Sequence, residues 1–251
     1  MRPDSVARPL TAEFLGSLLL AAIVIGSGIM AQRLSPGDVG LQLLENAFAT
    51  ALGLGVLIIL FQPISGAHFN PVVTVADAIV GGRRWRDVGP YVAAQVLGCI
   101  TGAILSNVMF AAPAVAWSTT ARATPMNLIS EVVATAGLVL VIFMLVRTGR
   151  GHLAAPAVGA YIGAAYFFTA STSFANPAIT IGRMFSDTFA GIAPASAPWF
   201  LVAQFVGGAL GLVLTSWLTP QARSDRPMAG ARRGDSLRAG FRRDGRAVST
   251  R

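Results

Sequence analysis

Two short stretches in opposite halves of the chain constrain its fold more than any other feature. The first reads His68-Phe69-Asn70-Pro71-Val72-Val73-Thr74-Val75, the second Phe174-Ala175-Asn176-Pro177-Ala178-Ile179-Thr180-Ile181. Each Asn-Pro pair follows a loop of small residues, Ser65-Gly66-Ala67 or Ser171-Thr172-Ser173, and opens a run with helical spacing. Proline suits the first turn of a helix, where its missing N–H would have no partner. Asparagine just ahead of it reads as an N-cap. The sequence therefore sets two helix starts, with free N–H groups and partial positive charge, inside apolar surroundings.

Those surroundings are lipid. Of 251 residues, 54% are apolar and 12% charged, against about a quarter charged in soluble domains. Apolar runs at 10–32, 41–63, 90–111, 127–146, 153–169 and 199–218 read as spans of the ~30 Å hydrocarbon core. The Asn-Pro segments, 64–80 and 171–190, are too short and interrupted to span, and read as re-entrant. Glu13 and the length of the first run argue against a cleaved signal. The lone Cys99 excludes an intramolecular disulfide and reads as a small buried hydrophobe. No cluster has metal-ligand spacing and no nucleophile–base constellation is visible, so no metal, cofactor or enzymatic activity is expected.

The halves repeat. Ala12-Glu13-Phe14-Leu15-Gly16-Ser17 mirrors Ser130-Glu131-Val132-Val133-Ala134-Thr135, and Ala94-Gln95-Val96-Leu97-Gly98 mirrors Ala203-Gln204-Phe205-Val206-Gly207. Each half holds three spans, so the second must lie inverted in the membrane. The fold class expected is an all-α membrane protein of six transmembrane helices plus two re-entrant half-helices. With the N-terminus inside, the cytoplasmic segments hold Arg2, Arg8, Arg83, Arg84, Arg86, Arg147, Arg150 and the tail arginines, and the outer segments only Arg33, Arg122 and Arg183. The positive-inside rule then puts both termini in the cytoplasm. The arginine-rich tail beside a membrane suggests anionic lipid as its contact before nucleic acid.

This order of motifs (Ala-Glu-Phe-Leu-Gly, Gly-Ala-His-Phe-Asn-Pro-Val, Ala-Gln-x-x-Gly, Ser-Glu, Asn-Pro-Ala) resembles the aquaporin and aquaglyceroporin family over about residues 5–220. The resemblance implies a bacterial inner-membrane homotetramer with one passive pore per subunit. It divides the chain into a cytoplasmic N-terminus (1–9), a channel domain (10–220, repeats about 10–111 and 127–218) and a basic disordered cytoplasmic tail (221–251). In the pore, the side-chain amides of Asn70 and Asn176 can donate to a passing hydroxyl, while the helix starts at Pro71-Val72 and Pro177-Ala178 penalise cations. Glu13 and Glu131 are expensive in lipid and are read as acceptors bracing the loop N–H groups. His68 either orients its loop or senses pH.

Departures from the family pattern point to the solute. Most members carry Arg three residues after the second Asn; here that position is Ile179. Thr50 stands where water-selective members resemble one another in a bulky aromatic, and Tyr166 or a neighbour fills the fifth-span position. With Ser173, the expected filter of Thr50, Tyr166, Ser173 and Ile179 is wide and uncharged, suited to small polyols. Arg183, one helical turn beyond Ile179, either draws acidic solutes into an outer vestibule or caps loop carbonyls. The stretch 176–191 resembles a bacterial subgroup associated with arsenic-resistance operons, which implies arsenous acid and methylated arsenicals among the solutes. A water-selective pore is the competing reading. A secondary transporter, also built on inverted repeats, would need coupling groups beside the boxes.

Overall fold

The computed structural model describes residues 6–219. It contains eight α-helices: α1 (Ala7–Leu34), α2 (Val39–Ser65), α3 (Pro71–Ile79), α4 (Trp85–Met109), α5 (Pro125–Arg147), α6 (Ala154–Phe168), α7 (Pro177–Arg183) and α8 (Ala197–Leu218). The basic tail at 221–251 lies outside the described residues.

Five of these helices, α1, α2, α4, α5 and α8, are long and apolar enough to cross a membrane. The sixth, α6, has 15 residues and is extended by a 3-10 turn at Gly151–Leu153. Local chemistry sets several ends. The Asp38 carboxylate accepts from the Leu41 N–H at 2.9 Å to start α2, and the Thr124 hydroxyl accepts from the Asn127 N–H at 3.3 Å at the start of α5. At the end of α2, Gly66 sits at φ 93°, the left-handed conformation that closes many helices.

The two halves pack alike. α1 lies against α4 and α5 against α8, each pair meeting through glycines four residues apart. A Cβ at Gly98 would strike the Phe14 carbonyl and one at Gly102 the Leu18 carbonyl. In the second half the same collisions would involve Gly207 with Val132 and Gly211 with Ala136. Between lipid-immersed helices there is little hydrophobic drive, so close backbone approach and dispersion hold the pairs together. The apolar bulk faces outward instead: Phe48, Leu52, Val56 and Ile59 on α2, and Trp199, Val202, Val206 and Val213 on α8, are all exposed.

The halves also interlock. α3, from the first half, packs on α8 as well as α4; α7, from the second, packs on α4 and α1 as well as α8. This places the two short helices between the repeats, touching each other. The box residue Val72 accordingly sits among Ala76, Val139, Phe143 and Leu212, in the space a side chain at Gly208 would occupy.

Candidate functional site

The loops ahead of α3 and α7 are buried and unusual in backbone. Ala67 (φ 52°) and Phe69 (φ 49°) are left-handed in the first; Ser173 (φ 51°) and Ala175 (φ 48°) are left-handed in the second. These are the third and first residues before each asparagine. Such conformations cost a non-glycine residue roughly 1–3 kcal/mol, so something must hold them. Left-handed residues in such a loop turn successive N–H groups into one concavity that suits an anion. A carboxylate fills each one.

Glu13, fully buried, accepts from the His68 N–H (3.0 Å) and the Phe69 N–H (2.7 Å), and from the Ser65 hydroxyl (2.6 Å) and the Gln95 amide (2.7 Å). Glu131, equally buried, accepts from the Phe174 N–H (2.9 Å) and the Ala175 N–H (2.8 Å), and from the Ser171 hydroxyl (2.6 Å) and the Gln204 amide (2.7 Å). The match extends a shell further. Gln95 also donates to the Thr74 hydroxyl and Gln204 to the Thr180 hydroxyl, both at 2.9 Å. Those hydroxyls donate to the Asn70 carbonyl (3.1 Å) and the Asn176 carbonyl (2.9 Å). Charge-assisted bonds of this kind are the strong ones, and every donor that Glu13 satisfies has its counterpart on Glu131.

The asparagines join the two loops. The Asn70 side-chain oxygen accepts from the Val72 N–H at 2.9 Å, and that of Asn176 from the Ala178 N–H at 2.9 Å and the Ile179 N–H at 3.3 Å. Each amide then crosses to the other half. Asn70 donates to the Ala175 carbonyl at 2.8 Å and Asn176 to the Phe69 carbonyl at 2.7 Å. An amide carries two protons, so each crossing leaves one N–H to offer a solute. Ala178 is fully buried beside Asn176, and Pro71 and Pro177 occupy the first helical positions.

On the α7 side of the crossing, the Tyr166 hydroxyl donates to the Thr50 hydroxyl at 3.2 Å. Tyr166 and Ile179 belong to one buried cluster. Ser173 is buried and its hydroxyl has no hydrogen-bond partner. Arg183 is 3% exposed. It donates from Nε to the Ala190 carbonyl, and its guanidinium carbon lies over Phe174, 3.4 Å from the ring centre. On the α3 side, His68 Nδ1 meets the Thr74 hydroxyl at 3.1 Å and His68 Nε2 lies 3.6 Å from Asp77. Arg83 donates to the Ser65 carbonyl at 2.8 Å and stacks on Tyr91.

Sequence reasoning overlooked two residues of this region. Phe174 forms the floor under Arg183 and packs edge-on to Phe200, with ring centres 5.1 Å apart. Arg122 sits 5.5 Å from the centre of the same Phe174 ring and donates to the Gly191 carbonyl (2.7 Å) and the Phe189 carbonyl (2.9 Å). The available signal for Phe174 was positional: it and His68 both place a ring two residues before the asparagine.

The family model described as major intrinsic protein matches residues 1–174. The chain belongs to the major intrinsic protein family. An aquaglyceroporin, AqpS, of Rhizobium meliloti (strain 1021) is 45% identical over 224 residues, covering 89% of this chain and 95% of its own length. A glycerol uptake facilitator protein of Streptococcus pneumoniae (strain ATCC BAA-255 / R6) is 34% identical over 193 residues, covering 69% and 80% respectively. In fold, the X-ray structure of the aquaglyceroporin from Plasmodium falciparum matches with a TM-score of 0.67 over 86% of this chain and 97% of that one, at 21% identity. Membership makes this major intrinsic protein a multi-pass membrane channel for small solutes and not an enzyme.

Proposed function

We propose that the pore passes glycerol-sized neutral hydroxylated solutes, including arsenous acid, and methylated arsenicals as well as water. The observation that carries this reading is an apolar Ile179 at the third position after Asn176, buried in the same cluster as Tyr166. A neutral solute needs donors and acceptors at a constriction but no fixed charge to trap it. Thr50, Tyr166 and Ser173 supply hydroxyls on one side, Ile179 a greasy wall on the other, and Asn70 and Asn176 the donors deeper in. Glu13, Glu131 and His68 act as scaffold. Arg183, bonded to a loop carbonyl, fits the carbonyl-capping role and borders the vestibule.

We further infer a homotetramer in the bacterial inner membrane with both termini cytoplasmic. Arginine placement supports the orientation, and the bacterial relatives support the membrane. A solute panel of water, glycerol, urea, arsenous acid and methylarsenate, run on purified protein in liposomes by light scattering and arsenic uptake, tests the selectivity. Glycerol and arsenous acid are expected to enter at least about tenfold faster than into empty vesicles, the difference a ~1.4 kcal/mol lower barrier makes. Water flux without glycerol flux would favour the water-selective reading.

A further inference from the structure

We propose that this pore separates the selection of size from the rejection of cations, and that Arg183, with Arg122, performs the rejection. The inference rests on the pore reading above and concerns the α7 mouth. Among the described residues no carboxylate lies within 4.0 Å of either guanidinium. Their hydrogen bonds go to neutral carbonyls: Ala190 for Arg183, Gly191 and Phe189 for Arg122. Both stand over one ring, Phe174, the neighbour of Ser173. The charge of Arg183 also bears on the Tyr166 hydroxyl. The positive charge missing at position 179 is thus present one turn away, buried and fixed in place.

The opposite mouth shows that this is not what the fold must do. Counting seven residues from each asparagine gives Asp77 in the first half and Arg183 in the second. At the first position the acid lies 3.8 Å from Arg83 and 3.6 Å from His68, so positive and negative charge offset each other. At the second, two cations share an aromatic ring, and the one carboxylate that acts on both, Glu131, does so from beyond 4.0 Å. Buried charge without a counter-ion is unfavourable. Stacking on Phe174, the carbonyl bonds, the negative end of α7 and the more distant Glu131 carboxylate offset part of that. Two guanidiniums outnumber that one carboxylate, and what remains is a field that repels cations from the constriction.

Urea and guanidinium test this directly, because they are planar, similar in size and differ in charge. Proteoliposomes are assayed for urea entry by light scattering and for guanidinium entry, at low millimolar concentration, by a potential-sensitive dye. Wild type is expected to pass urea and exclude guanidinium. In Arg183→Gln, guanidinium entry should rise at least about tenfold while urea stays within about twofold, and Arg183→Lys, which keeps the charge, should still exclude it. Arg122→Gln should give a smaller rise of about threefold. Guanidinium entry unchanged in Arg183→Gln with urea flux retained overturns the proposal. So does a parallel rise of both solutes, which would indicate a wider pore. Should Arg183→Gln pass neither solute, Arg122→Gln decides: unchanged guanidinium exclusion there overturns it. If wild type itself passes no urea or glycerol, the pore reading fails and this assignment falls with it.

Discussion

Glu131→Leu is expected to abolish a well-folded protein. The buried Glu131 carboxylate satisfies four donors: the Phe174 and Ala175 N–H groups, the Ser171 hydroxyl and the Gln204 amide. Each donor left buried without a partner costs about 1–3 kcal/mol. Removing the carboxylate also removes the penalty of burying a charge, which offsets part of this. The two left-handed residues it stabilises, Ser173 and Ala175, would still lose their support. We expect a net loss of about 3 kcal/mol or more, a large share of the ~5–15 kcal/mol that typically holds a domain. Glu131→Gln keeps the shape and one carbonyl acceptor, so it should fall between wild type and Glu131→Leu. Thermal unfolding in detergent and the yield of monodisperse protein read this order. Glu13→Leu should behave alike because its four bonds match one for one. A Glu131→Leu protein as stable as wild type would mean that the loop is held by packing alone.

Ile179→Arg is expected to close the pore to glycerol while leaving water. Ile179 is buried in the same cluster as Tyr166, which is bonded to Thr50. An arginine here adds a long cationic side chain to the proposed constriction of Thr50, Tyr166 and Ser173. It narrows the opening and offers donors that suit water better than a three-carbon solute. Glycerol permeability should fall at least about tenfold, equivalent to ~1.4 kcal/mol of barrier, with water permeability held within about threefold. Ile179→Leu, equal in volume and polarity, should change neither by much. Stopped-flow light scattering on the same vesicle batch gives both numbers. Equal loss of water and glycerol in Ile179→Arg would indicate a collapsed pore and would remove position 179 from the account of selectivity.

The fold was legible because its signals are local and repeated. Apolar length, Asn-Pro caps and an odd number of spans per half lead directly to inverted repeats with re-entrant segments. The short fifth span could also be read, since 153–169 is the briefest run, and α6 with its preceding turn covers 151–168. What could not be read depends on contacts distant in sequence. The helix after the second box stops at Arg183, well before 190. The Ser186 hydroxyl bonds to the Asn107 side chain (2.7 Å), and the Thr119 N–H bonds to the Asp187 carboxylate (2.9 Å), drawing the chain away. Left-handed alanine, serine and phenylalanine cannot be foreseen where glycine is the usual choice. Helical spacing puts Arg183 on the side of Ile179, yet only the folded loop supplies the Phe174 ring on which it rests. Arg122 sits in a Pro-, Ser- and Thr-rich connection with no pattern to mark it.

The central claim is that two half-helices, inserted from opposite sides and joined by Asn70 and Asn176, frame an open passive path. Glycerol entry into proteoliposomes, followed by light scattering over a range of gradients with and without a proton ionophore, tests it most directly. The account predicts a flux proportional to the glycerol gradient, well above that of empty vesicles and indifferent to the ionophore. A flux that saturates and collapses when the proton gradient is dissipated would contradict it.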